Sequence, residues 1–479
     1  MIDRLVGAVR GQHVQARCPS YSRRTRRFYV NDRENPYCTP RGKPFVWIRG
    51  RQLGGRLRTW ARVAIRMSQD ELRPPGEAYP ERRWPFGYDE LARHYDEVER
   101  TLGVRGQADG IPNLPDGRFV PAVAWSPMEW EFVRRLAARK PGIRIVPART
   151  VCHDPDRLPR PLAIGLATGR LHVRTDAVVG AVTTDPGSGR ATGVSYVDRV
   201  SRLPGRAFGR IVVLCASAFE SVRILLNSTS RAHPTGIGNS SGLLGRYVSD
   251  HVLYGLDGPV SSALRRLPLL PYPHEDARDL ASATLYVPWS RADRLAPGFA
   301  GGYGILGAVG RETPWWWLLC FGEMMPRREC RITLQRGKTD AWGIPALRID
   351  CDHSVNEVAM ARHMRDTLRE IAEIGGLDLG GRGRRWGALS RLLRSTAPGR
   401  DGAFHPGLAI HEIGGARMGD AAEESVLNRF CQCWDADNVF VTDGACFPGA
   451  GYQNHTLTIM ANTVRVCEFI LRDYLGARP

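Results

Sequence analysis

The sequence predicts an α/β domain interleaved with an α+β domain, and three stretches carry that prediction. RIVVLCASAFESVRILLNS (Arg210 to Ser228) reads as an apolar strand, a small-residue turn at Ala216–Ala218 and a helix. VFVTDG (Val439 to Gly444) is a second apolar strand; it bends through Gly and Pro to Asn454, and helical spacing resumes in LTIMANTVRVCEFIL. FGEMMPRRECRITLQ and DAWGIPALRIDCD read instead as paired antiparallel strands with a Trp-Gly turn. At 479 residues the chain can bury a large core as two interleaved domains.

Along the chain, PFVWIRGRQLGGRLRTWARVAIRMS (Pro44 to Ser68) places Gly54 and Gly55 where the backbone can turn tightly and approach a ligand. The bland alternative is a surface turn. WPFGYDELARHYDEVERTLGV sets Leu91, Tyr95, Val98 and Leu102 on one helical face. LHVRTDAVVGAVTTDPGSGRATGVSYVD (Leu171 to Asp198) alternates like strands around a Pro-Gly-Ser-Gly hairpin. NEVAMARHMRDTLREIAEIGG is an amphipathic helix ending at Gly375–Gly376. PWWWLL (Pro314 to Leu319) reads as a buried strand, although its aromatics would also suit a sugar ring. The Arg/Gly-rich run Gly380 to Arg400 is expected to be a mobile loop at the mouth of a site.

The chemistry concentrates in the last 75 residues. HEIGGARMG (His411 to Gly419) puts a histidine before a Gly-Gly turn, and Asp443–Gly444 ends a strand that leads into a helix N-terminus. Such a terminus suits an anionic phosphate chain, because its N–H groups and dipole point outward. His411 and Asn454 could meet over whatever is bound there, and a histidine beside an amide can move a proton off an alcohol. Singly, a histidine is more often structural and Asp-Gly is usually a turn. HEIGG is no zinc motif, since Gly415 stands where a second histidine would be needed.

Taken in order, HEIGGARMG, SVLNRF, NVFVTDG and NHTLT resemble the C-terminal signature of the glucose-methanol-choline (GMC) flavoprotein oxidoreductases. Gly415 replaces a common Thr and His455 a common Pro. The resemblance implies a Rossmann-like FAD-binding domain interleaved with a substrate domain built on a mainly antiparallel sheet. The parts would be 1–70 (flavin loop), 71–160 (helical cap), 161–251 (FAD domain), 252–405 (substrate domain) and 406–479 (FAD domain with His411 and Asn454). It places Gly54, Gly55, Thr59 and Trp60 along the flavin, Val179 against adenine, and Ala216, Asp443, Gly444, His455 and Thr456 around the dinucleotide. In pyranose-oxidising members a histidine at the place of Thr59 bonds covalently to FAD; threonine cannot, so the resemblance implies non-covalent FAD. GMC proteins open with Gly-x-Gly-x-x-Gly after a strand, and RLVGAVRG lacks both the spacing and the strand. The first βαβ unit is therefore expected to be missing from this chain, through a misplaced start or a real loss.

Within the family, the cap helix and the IPNLPDGRF turn resemble members that oxidise sugars, glycosides and aminoglycoside precursors, including antibiotic-biosynthesis dehydrogenases. The implied reaction converts an alcohol to a carbonyl. His411 would take the hydroxyl proton, Asn454 would position the oxygen, and hydride would pass to flavin N5. The acceptor could be oxygen, a quinone or a cytochrome. His455, in the Pro position, is expected to point away from the substrate oxygen. The alternative is a remnant that no longer binds FAD and acts as a binding or scaffold protein.

Composition bounds the partners. The net charge of +18 comes almost wholly from arginine, as Lys43, Lys140 and Lys338 are the only lysines. The Arg23–Arg27 and Arg382–Arg385 clusters lack interleaved aromatic platforms, so no specific nucleic-acid binding is expected. No stretch reaches the about 20 apolar residues that span a membrane. Eleven scattered cysteines, without a pair of pairs at zinc spacing, suit reduced thiols in a cytoplasmic protein with no metal and no disulfide.

Overall fold

The computed structural model describes residues 2–74, 79–152, 154, 156–272, 283–289, 298–379 and 403–476. The run Gly380–Arg400, with Arg382–Arg385, lies outside them. No helix of the described residues is long and apolar enough to cross a membrane.

The two strand–turn–helix runs meet. Val212–Leu214 and Val439–Val441 pair in parallel, with Val212 opposite Val439 and Leu214 opposite Val441. Their ends lead to the helices Ala218–Asn227 and Thr456–Phe469. Val439, Phe440 and Val441 are fully buried, as a parallel strand covered on both faces requires. Asn438 ties the pair to its neighbour: its amide accepts from Ala191 N at 2.9 Å and donates to Ala191 O at 2.7 Å.

That neighbour is an antiparallel sheet of Ala177–Thr184, Ala191–Asp198 and Pro204–Phe208. Asp185 builds the expected hairpin turn by accepting from Ser188 N at 2.8 Å and Gly187 N at 3.1 Å. The strand starts at Ala177 rather than Leu171, since residues 171–176 are exposed and join no strand ladder. Residues 2–36 form the helix Ile2–Val9 and two 3-10 turns, braced by Gln15 donating to Asp32 at 2.7 Å. Among the described residues they contain no strand–turn–helix unit.

A five-stranded antiparallel sheet runs in the order His251–Pro259, Trp315–Glu323, Tyr303–Val309, Leu285–Trp289, Val146–Pro147. The Trp-rich run is one of its strands, with Trp316, Leu318 and Cys320 buried in alternation. FGEMMPRRECRITLQ therefore divides. Phe321 to Glu323 belong to this sheet, while Arg331–Thr339 pairs with Pro345–Asp350 in another. The Pro326 and the charged Arg327–Glu329 between them suit neither sheet.

Helix Val355–Gly375 starts on Ser354, whose hydroxyl accepts from Asn356 N at 3.1 Å, and ends at Gly376 with φ +74°. It buries Met360, Ala361, Met364, Leu368, Ile371 and Ala372 on one face. A Cβ on Gly322 would lie 2.2 Å from Met364 Cε, so glycine lets this helix settle onto the sheet. Helix Asp89–Leu102 buries Leu91, Tyr95 and Val98. It packs on Thr456–Phe469, where Tyr95 Oη meets Thr458 Oγ1 at 2.8 Å. Buried Glu99 receives Arg66 Nε at 2.8 Å and fixes its other side.

Candidate active site

His411 sits on an irregular segment that its own glycines shape. Gly414 has φ +78° and Gly415 φ +91°. A Cβ on Gly414 would lie 2.3 Å from Tyr247 O, so the segment can bridge to Ser249 only with glycine there. Buried Asp250 then pins the backbone, accepting from His411 N at 2.9 Å and Gly407 N at 2.6 Å. Burial, and next the charge of Glu412, pushes the Asp250 carboxyl up to about 7.

Asn454 arrives from the same C-terminal part of the chain, just before helix Thr456–Phe469. The structure brings its Nδ2 to 3.2 Å from His411 Nε2. Two further imidazoles complete a cluster. His251 Nδ1 lies 2.9 Å from His411 Nδ1, and His251 Nε2 lies 3.1 Å from Gly451 O. The His455 ring packs 4.6 Å from His251 and 5.3 Å from His411, with its Nε2 on Ala450 O at 2.9 Å. Phe321 closes one side, 5.3 Å from the His411 ring. His251, Asn454 and His455 are buried, while His411 keeps part of its surface open.

The electrostatics favour neutral rings. Burial lowers all three histidines, His455 to about 4 and the other two well below the ordinary imidazole range. For His251 the neighbouring His455 and His411 lower it further, and for His411 His455 and Arg56 do so. The ion pairs of the described residues include none to these three histidines.

The glycine turn of residues 52–60 is tied to this cluster. Arg56 Nη1 donates to Ile410 O at 2.8 Å, and its guanidinium pairs with buried Glu412. Gly54 has φ +90° and Gly55 φ +56°, and a 3-10 turn follows with Thr59 at its end. Buried Gln52 Oε1 and Trp60 Nε1 in this turn have no hydrogen-bond partner. Asp443 accepts from Ala445 N at 2.9 Å and from Ser221 Oγ at 2.5 Å, and burial raises it to about 6. It thus joins the Asp443–Gly444 turn to helix Ala218–Asn227, beside Ala216 and Ser217, whose φ is +79°. A Cβ on Gly444 would crowd Glu412 O at 3.2 Å. Thr456 is the first residue of its helix.

Val179 is the residue not drawn into this group. It stands on strand Ala177–Thr184 opposite Tyr196, linked to the site through helix Ala218–Asn227, which packs on that strand. Sequence reasoning missed His251, Asp250 and the Arg56–Glu412 tie. A signal existed for the first two: a carboxylate and a histidine stand directly before an apolar strand.

Residues 326–463 match the sequence profile of the GMC oxidoreductase family. The chain is 27% identical over 449 residues to 2-methyl-1,2-propanediol dehydrogenase of Mycolicibacterium austroafricanum, covering 82% of this chain and 75% of that protein. It is 25% identical over 425 residues to paromamine 6'-oxidase of Streptomyces fradiae, covering 82% and 73%. Its fold is similar to that of formate oxidase from Aspergillus oryzae RIB40, with a TM-score of 0.65, 12% identity, and coverage of 90% of this chain and 85% of that one.

Proposed function

We propose that this chain, whose residues 326–463 match the GMC oxidoreductase family, oxidises a hydroxyl group of a sugar, glycoside or aminoglycoside precursor to a carbonyl. The observation that carries the reading is the approach of His411 Nε2 to Asn454 Nδ2 within an uncharged histidine cluster. The hydroxyl proton passes to His411 Nε2, and the Asn454 amide holds the oxygen as its negative charge grows. Burial depresses His411, so the ring is unprotonated at neutral pH and ready to accept.

FAD, bound without a covalent link, supplies the hydride acceptor for the substrate carbon. The unpartnered Gln52 Oε1 and Trp60 Nε1 fit a polar ring edge along the turn at Gly54, Gly55 and Thr59. The Ala216 and Asp443–Gly444 turns, with His455 and Thr456 at a helix start, would hold the rest, and Val179 the adenine end.

A small vicinal diol is the second reading, favoured by the 27% identity to the propanediol dehydrogenase. The test is anaerobic bleaching of the FAD-loaded protein by paromamine, alkyl glucosides, 2-methyl-1,2-propanediol and methanol. Faster reduction by the polyhydroxylated rings supports the sugar reading. Faster reduction by the propanediol overturns it in favour of the second.

A further inference from the structure

We infer that His251 is a positioning residue that fixes the tautomer of His411, so that His411 Nε2 is the bare nitrogen that accepts the substrate proton. The inference rests on the proposed reaction for its purpose but on hydrogen-bond arithmetic for its content.

Gly451 O can only accept, so His251 Nε2, 3.1 Å away, carries a hydrogen. A neutral imidazole has one N–H, which leaves His251 Nδ1 as an acceptor. Two ring nitrogens 2.9 Å apart need one hydrogen between them, and His411 Nδ1 must provide it. His411 Nε2 is then bare, and it faces the Asn454 amide, which can donate to it. A single carbonyl oxygen at one end thereby sets which nitrogen is basic at the other.

A doubly protonated His251 would reverse the order. The groups packed around it oppose that state. Asp250 spends its oxygens on the backbone N–H groups of Gly407 and His411, and Glu412 is paired with Arg56. His455 and Phe321, the other rings against it, bring no negative charge. Once His411 gains its second proton, its Nδ1–H bond to His251 becomes charge-assisted and shortens. His251 thus favours the proton's arrival as well as its site.

Two variants separate acceptor from bulk. His251→Phe keeps a ring and removes the acceptor; His251→Asn can place Oδ1 where Nδ1 was. In nitrogen-detected NMR of protein labelled at histidine, His411 should show a protonated Nδ1 and a bare Nε2. His251→Phe should move the hydrogen to Nε2 and slow flavin reduction by roughly 100-fold, the scale of a lost general base. His251→Asn should restore the wild-type tautomer and bring the rate back to within about 10-fold. A wild-type His411 protonated on Nε2, or a His251→Phe spectrum unchanged at His411, overturns the inference. If His251→Phe does not fold, the wild-type and His251→Asn spectra decide alone, and an Nε2–H in either counts against it. If the tautomer is as stated but no alcohol reduces the flavin, the proposed function fails and the positioning role stands.

Discussion

Asp250 and His411 are joined through the backbone, with the carboxylate accepting the His411 N–H at 2.9 Å while the His411 ring faces elsewhere. The contact sets where the imidazole stands, and its charge depends on pH. Native Asp250 keeps its proton up to about pH 7, whereas an unfolded aspartate loses it near ~3.9. Between those values the native state binds more protons. This group's contribution to stability therefore falls as pH rises across the window and is constant above it.

Asp250→Asn should test that sign. An amide offers one acceptor oxygen, so one of the buried N–H groups of Gly407 and His411 loses its partner, at about 1–3 kcal/mol. The variant should be clearly less stable than wild type at pH 5. At pH 8 the wild type has to bury the charge, and the gap should narrow. Urea unfolding at both values measures it. Glu71 and Asp443 are also raised by burial, so only the difference between the two proteins is diagnostic. A gap that widens with pH would show that Asp250 is not the group responsible.

His411→Ala should retain fold and flavin yet slow anaerobic flavin reduction by roughly 100-fold or more. Asn454→Ala should cost less, since an amide positions and does not titrate. His455→Ala should cost least, because its Nε2 is spent on Ala450 O. The wild-type rate should be flat above neutrality and drop only below the ordinary imidazole range, as His411 is depressed by burial. Stopped-flow traces at saturating substrate give both results. A slow His455→Ala beside a wild-type-like His411→Ala would reassign the base.

Much of this arrangement can be read in the residues themselves. The Val439–Val441 strand, the Ser354-capped helix and the Trp315–Leu319 part of its strand follow from apolar periodicity and local capping, which are short-range signals. His411 and Asn454 stand in a run of motifs whose order is specific. His251 is different. It lies 160 residues from His411, and only the antiparallel sheet that begins at His251 brings the two rings together. The division of FGEMMPRREC between two sheets is equally non-local, because each half answers to a partner strand elsewhere. Arg56 and Glu412 lie 356 residues apart, so no local pattern announces their pairing.

The flavin should be released in full by acid precipitation of the yellow protein. Thr59 ends the 3-10 turn Gly55–Arg58, at the place that the resemblance assigns to the linking histidine of pyranose-oxidising members. A hydroxyl offers no ring nitrogen for such a bond. The check is the absorbance of supernatant and pellet after precipitation. Flavin held in the pellet would mean that another side chain makes a link.

Gly415 provides the last prediction. Threonine is common at this place in the family motif, so Gly415→Thr looks like a return to type. The backbone here argues against it. Gly415 has φ +91°, a conformation that a β-branched residue adopts only under strain. A Cβ would also lie 2.9 Å from Val222 Cγ2 and 3.3 Å from Val248 Cγ1, both on fully buried side chains. Neither valine can retreat without opening the packing of helix Ala218–Asn227 against the Gly414–Gly415 turn. The strained dihedral alone costs on the order of 1–3 kcal/mol, and the crowding adds about 1–3 kcal/mol more. Gly415→Thr should therefore lower the urea midpoint substantially. It should also slow flavin reduction, because the turn sets the position of His411 four residues earlier. Gly415→Ala should lose less stability, since it shares the dihedral strain but carries fewer atoms toward Val222. Equal stability of Gly415→Thr and wild type, measured by urea unfolding at pH 7, would show that this turn relaxes to the backbone the family motif uses.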